Sequence, residues 1–222
     1  KVLADGNYHK AVLGKLDDKD PKVQAAAIAA AANSVTGKSP DEAVTAKIVG
    51  LATSHPLPEG RFAAIEQLWK VSGIEKDDDK LDAMVAALDA AQPWLVSRAL
   101  FRLKGKLASY RKKDEVQGKL RELLGHADPG VRGRAADALA TMAGPDLAQR
   151  DALAKVIVPL LADESSYTKS AACSALAWLR YQPAIHEIVK LVDDDANNTY
   201  DIREFNELNG NAGWVHHDGS VW

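Results

Sequence analysis

The chain has 222 residues, 46% of them apolar and 27% charged, with a formal net charge of −3 and one cysteine. That balance excludes wholesale disorder and gives no global field toward nucleic acid or anionic lipid. It also rules out an internal disulfide or a cysteine-built zinc site, so Cys173, in the alanine-rich stretch Ala171 to Leu176, reads as a small buried hydrophobe.

No stretch approaches the roughly 20 apolar residues of a membrane span. The sequence opens on Lys1 rather than methionine, so a removed export signal stays open; the expected protein is soluble, either cytoplasmic or exported. Much of the apolar share is alanine and aromatics are few, which suits helices whose axes approach closely.

In chain order, the first helical pattern carries Val12, Leu13 and Leu16, and a polar turn leads to Asp20-Pro21-Lys22-Val23. Ile48, Val49 and Leu51 precede Pro58-Glu59-Gly60-Arg61, and Val85 and Leu88 precede Gln92-Pro93-Trp94-Leu95. Leu120, Leu123 and Leu124 precede Asp128-Pro129-Gly130-Val131. Val156, Ile157, Leu160 and Leu161 precede Glu164-Ser165-Ser166-Tyr167. Residues 21, 58, 93, 129 and 165 lie 37, 35, 36 and 36 apart, which is the spacing of a helix-pair repeat. Each marker opens a second helix: proline suits the first helical position, and Asp20 or Asp128 can cap it. Six residues on stands alanine (Ala27, Ala64, Ala99, Ala135 and Ala171), as a tight inter-helix contact requires. Leu16, Leu51, Leu88, Leu124 and Leu161 recur in step on the first helices. Gly37-Lys38-Ser39-Pro40, Ser72-Gly73 and Gly144-Pro145 separate the repeats, and no segment alternates with period two, so strands are not expected.

The run Asp128-Pro129-Gly130-Val131-Arg132-Gly133-Arg134-Ala135-Ala136-Asp137-Ala138-Leu139 resembles the HEAT repeat family, in which an Asp-Pro-x-Val-Arg turn opens the second helix. The likeness covers roughly residues 7 to 192. It implies an all-α fold, a right-handed α-α superhelix (solenoid) of about five to six HEAT-like helix pairs. It also implies an Asp and an Arg six residues later forming a ladder between repeats, as Asp128 and Arg134 are spaced, with Arg98 in the same column. Function does not follow from it, because the family hosts scaffolds, transport receptors, lyases, hydroxylases and DNA glycosylases.

The expected division is a repeat array over 1–192 and a divergent C-terminal segment over 193–222. A sixth pair begins with Pro183 to Val192, and its partner helix could open at Asp201-Ile202-Arg203. His217 to Trp222 matches the repeat marker better, which makes 193 to about 216 an insertion: a recognition loop, a cap or a linker.

Motifs for chemistry are sparse. Asp193, Asp194, Asp195, Asn197, Asn198 and Asp201 offer oxygen ligands without the glycine and terminal glutamate of a calcium loop. Adjacent His216 and His217 point to opposite sides of an extended segment, which disfavours a shared metal ion. His186-Glu187 is similar to the His-Glu pairs of deoxyhypusine hydroxylase, a HEAT-like di-iron enzyme, but that family needs several pairs and this chain has one. No glycine-rich phosphate loop, serine elbow or Cys/His nucleophile pair occurs. No cofactor, metal or catalytic residue is therefore expected.

A local basic patch runs through Arg98, Arg102, Lys104, Lys106, Arg111, Lys112, Lys113, Lys119 and Arg121, with Trp94 nearby. HEAT-like alkylpurine DNA glycosylases grip DNA with a basic concave face, so nucleic-acid binding through 98–121 is one alternative, salt-dependent reading, and a HEAT-like enzyme or metal-binding protein using the C-terminal loop is another. The main expectation is a non-catalytic scaffold or adaptor that binds another protein or peptide along its stacked second helices. Its expected contacts are Arg61, Trp94, Arg102, Arg132 and Lys169, with Trp214 and His216 from the tail.

Overall fold

A computed structural model describes residues 6–31, 41–70, 77–192, 199–206 and 211–218. The chain divides into two compact units, Lys1–Ala90 and Ala91–Trp222. The first holds α1 (Gly6–Gly14), α2 (Pro21–Ala30), α3 (Glu42–Ser54), α4 (Pro58–Trp69) and α5 (Asp78–Val85), with 3-10 turns extending α1 and α5. The second holds α6 (Pro93–Leu103), α7 (Lys113–Leu123), α8 (Pro129–Thr141), α9 (Leu147–Ile157), α10 (Ser166–Leu179) and α11 (Ile185–Val192). Strands β1 (Thr199–Asn206) and β2 (Asn211–Asp218) follow.

The helix starts form for the reasons the sequence gives. Proline holds the first position of α2, α4, α6 and α8, and the Asp20 and Asp128 carboxylates accept from Lys22 N at 2.9 Å and Val131 N at 3.1 Å. Asp41 and Asp146 cap α3 and α9 in the same way. Each such cap contributes about 0.5–2 kcal/mol to its helix.

The fifth repeat is shifted by one residue from its sequence alignment. Ser165 is the cap, its Oγ accepting from Thr168 N at 3.4 Å, so Ser166 takes the proline place. The small residue in the shared register is then Ala172, fully buried, with buried Ala171 beside it.

The core is the recurring pattern itself. Ala27, Ala64, Ala99 and Ala135 are buried, as are Leu16, Leu88, Leu124 and Leu161, while Leu51 is half-buried next to fully buried Ala52. A small side chain on one helix lets its neighbour close in. Gly133 shows the limit: a Cβ there would lie 2.8 Å from Tyr167 Cε1 and 3.0 Å from Ala171 Cβ, so α8 and α10 meet over bare backbone. Between α6 and α7, Gly105 turns the chain at φ 74° and donates its N–H to Thr141 Oγ1 at 3.0 Å, a left-handed turn that favours glycine.

The C-terminal segment departs from the expectation of no strands. Asp201-Ile202-Arg203, a candidate helix start by sequence, lies in β1, which pairs antiparallel with β2 from Thr199–Asp218 to Asn206–Asn211. Thr199, Tyr200, Ile202 and Phe205 in β1 and Trp214 and Val215 in β2 are β-branched or aromatic, the types that favour extended backbone. Local composition therefore outweighed the repeat phase. Asp193 to Asn198, Val221 and Trp222 lie outside the described residues.

Candidate functional site

In the second unit, second helices α6 and α8 are neighbours, as are α8 and α10. On α6, Leu95, Val96, Ala99, Leu100 and Leu103 face inward and are buried, which leaves Arg98, Phe101 and Arg102 on the remaining side. Phe101 is 48% exposed, an unusual place for a large ring. Three guanidinium carbons surround it: Arg98 at 5.5 Å from the ring centroid, Arg102 at 5.3 Å and Arg134 of α8 at 5.4 Å. A cation over an aromatic face gains about 0.5–1 kcal/mol at an exposed site.

The neighbourhood of the ring is ordered. Arg134 Nη1 donates to Ser97 Oγ at 2.7 Å, tying α8 to α6. Lys104 reaches Asp137 of α8, with Nζ and Oδ2 3.0 Å apart. Burial pushes the Asp137 carboxyl above its ordinary range, and Lys104 opposes that only in part. β1 lies against α6, α8 and α10, so an extended segment of the same chain already crosses three successive second helices.

The expected contact residues fare unequally. Trp94 is buried at the first turn of α6, where its ring serves the core rather than a partner. Arg132 is also consumed inside the fold: Nε and Nη2 donate to the two Asp163 oxygens at 2.8 and 2.7 Å, and Nη1 donates to the His126 and Ala127 carbonyls. Arg132 reaches back over the adjoining turn, and Trp94 is buried where its helix starts.

Arg61 occupies the same place on α4, three residues after the helix start. It is half-buried, donating Nε to Ala52 O at 3.2 Å and Nη2 to Ala86 O at 3.1 Å. Gln24, its counterpart on α2, donates to Leu16 O at 2.7 Å. Lys169 stands at this place on α10, half-buried, and lines a cavity of about 500 Å³ with Asp163, Glu187 and Lys190. Arg102 is half-buried beside Phe101. Trp214 and His216 lie on β2, opposite Arg203 and Asp201 of β1.

The expected ladder also moves. Asp128 caps its own helix and Arg134 bonds to Ser97, while Arg132 forms an ion pair with Asp163 of the next repeat. A second recurring bond spans the turns. The acceptor three residues before the second helix takes an N–H two residues on: Asp18 from Asp20, His55 from Leu57, His126 from Asp128 and Asp163 from Ser165, all at 2.8–3.0 Å. His55 and His126 are thus turn residues.

Cys173 is buried, and burial raises its thiol. Among the described residues, no group of His, Cys, Asp or Glu is arranged to hold a metal ion, and no helix is long and apolar enough to cross a membrane.

Phe101 was not singled out by its sequence. A signal existed: eight residues past each helix start stand Ala29, Glu66, Phe101, Asp137 and Ser174, and only one of these is a large apolar residue.

Comparison with known proteins agrees with this architecture. Residues 119–203 match the family described as HEAT repeats. No curated protein matches the chain. An engineered protein from a structural genomics consortium is similar at 21% identity and TM-score 0.60, over 84% of this chain and 91% of that one. A designed armadillo repeat protein matches at 18% identity and TM-score 0.59, over 83% and 92%. Another, in complex with the peptide (KR)4, matches at 20% identity and TM-score 0.56, over 80% and 84%.

Repeated helix pairs with buried alanine contacts and like-folded armadillo neighbours define a helical-repeat fold of the α-solenoid class. Within that class, residues 119–203 are similar to the HEAT repeats.

Proposed function

We propose that the protein is a non-catalytic binding scaffold that holds an extended segment of another protein along the second helices. The observation that carries this reading is β1, an extended strand seated against α6, α8 and α10. One similar designed armadillo protein is in complex with a peptide, and another was designed for modular peptide recognition. Recognition is a many-point contact without bond chemistry, in which pre-formed side chains limit the ordering cost of association. Arg102, Lys169 and the remaining donors of Arg61 are the contact residues proposed on the helices, and Trp214 and His216 those on the hairpin. The repeat array over 1–192 supplies the surface and residues 193–222 an embellishment of it.

Photo-crosslinking tests this. Peptides selected for binding from a random display library should cross-link to a photoreactive residue placed at Arg102 or Lys169 on second helices. They should not cross-link to one placed at Lys119 or Lys155 on first helices. Cross-links confined to the first helices would overturn the proposal.

A further inference from the structure

The repeats serve as controls for one another. Three residues past the start of a second helix stand Gln24 on α2, Arg61 on α4 and Arg132 on α8, and each donates to a carbonyl of its own repeat. Arg61 and Arg132 also reach the following repeat, at Ala86 O and the Asp163 carboxylate. On α6 the place is taken by buried, apolar Val96. On α10 it belongs to Lys169, whose ammonium has no partner among the described residues.

Instead of a bridge to the following repeat, Lys169 lines a cavity of about 500 Å³ that α11 of that repeat borders with Glu187, Lys190 and Leu191. That volume lies within the range of small-ligand sites, about 300–1,000 Å³. The other charges of the lining are matched. Asp163 is held by Arg132 at 2.8 and 2.7 Å, and Glu187 by Lys190 at 3.0 and 3.2 Å. One positive charge, that of Lys169, is left over. Val158, Pro159, Leu161 and Leu191 supply an apolar wall beside it.

The cavity thus offers a cation, an apolar wall and, in Glu187, a carboxylate with acceptor sites to spare. A chain-terminal apolar residue carries the counterparts of all three: an α-carboxylate, an apolar side chain and an N–H. An internal Asp or Glu brings the charge but leaves the wall unmatched, and a plain carboxylic acid has no N–H for Glu187. Resting on the scaffold reading above, we propose that this cavity receives the C-terminal residue of the bound segment. Its carboxylate pairs with Lys169, its side chain packs on the Leu161 and Leu191 wall, and its N–H donates to Glu187.

A random octapeptide library displayed with free C-termini tests this on the full chain. Selected peptides should end in an apolar residue. By fluorescence anisotropy, amidating the C-terminus of a fluorescein-labelled selected peptide should weaken binding roughly tenfold or more, the effect of losing a charge-assisted bond. Lys169→Met should weaken the free acid to the same extent and bind acid and amide alike, whereas Lys169→Arg should still tell them apart. Because Lys169 makes no side-chain bond within the fold, Lys169→Met should melt like the parent. Leu191→Ala should weaken a peptide ending in Leu more than one ending in Ala.

Equal binding of acid and amide by the parent overturns the proposal, as does discrimination that survives Lys169→Met. Sodium hexanoate that binds as tightly as the selected peptide, and through Lys169, overturns it too and makes the cavity a site for free carboxylic acids. Selected peptides that cross-link at Arg102 yet show no terminal preference sink this inference and leave the scaffold reading standing. Cross-links confined to the first helices, or a library without binders, remove both.

Discussion

The two units follow one backbone schedule and carry different chemistry on it. Five and eight residues past the start of each second helix, the first unit places Ala26 and Ala29 on α2, then Ala63 and buried Glu66 on α4. The second unit places Arg98 and Phe101 on α6, then Arg134 and Asp137 on α8. The repeat is maintained by alanine and leucine columns that face inward, so these other positions are free to vary. On α6 and α8 charged and aromatic side chains occupy them.

The largest expected effect contrasts the two arginines that bridge turns. Arg132→Ala leaves the Asp163 carboxylate, whose side chain is 9% exposed, without its guanidinium. Removing one partner of a buried ion pair costs about 3–5 kcal/mol. Arg61→Ala removes bonds to two neutral carbonyls and should cost less, about 1.5–3 kcal/mol. Urea unfolding of the two variants compares them directly. Equal losses would mean that the ion pair adds nothing beyond the carbonyl bonds.

Close packing gives the next effect. A Cβ at Gly60 would stand 2.1 Å from the His55 ring, and one at Gly133 2.8 Å from Tyr167. Both alanine variants should therefore lose about 1–3 kcal/mol through overpacking. A variant that melts like the parent would show that its neighbour swings aside freely.

A smaller effect separates the carboxylates by pH. The folded-state pKa of Asp137 is raised, chiefly by burial, so the unfolded chain ionises this group first as pH rises. Its ionisation therefore costs stability as pH climbs through the ordinary carboxylate range to the raised value, and protonation restores it. Asp137→Asn should gain on the parent as pH rises through and above the ordinary carboxylate range in thermal melts. A gap that shrinks over that interval would reverse the assignment.

The smallest effect is kinetic. Because burial raises the Cys173 thiol, a thiol reagent at mildly alkaline pH should modify the native protein roughly tenfold or more slowly than the unfolded chain. Equal rates would place Cys173 at the surface.

Much of the fold was legible because helix pairs are specified locally. Proline and Asp fix the helix starts, and alanine and leucine at the repeat spacing name the core. The fifth repeat slipped by one residue because a serine cap leaves the first helical position unmarked, whereas proline announces it. The hairpin was missed because its residues follow strand propensity without strict alternation, inside a segment where the repeat phase suggested a helix. Of the expected contact residues, Arg102 was named from charge alone, and it lies half-buried beside Phe101. Trp94 and Arg132 were misplaced, since residue type does not reveal which way a first-turn side chain leans.

By itself the sequence determined the helical repeat, its period and the small and large positions that pack it, because each depends on neighbours within a few residues. Tertiary structure decided the rest. It brought Arg98 and Arg102 of α6 and Arg134 of α8 around Phe101, joined Arg132 to Asp163 across 31 residues, and laid β1 over three helices. Those contacts form between elements far apart in the chain, and they depend on helix rotation, which no local pattern encodes.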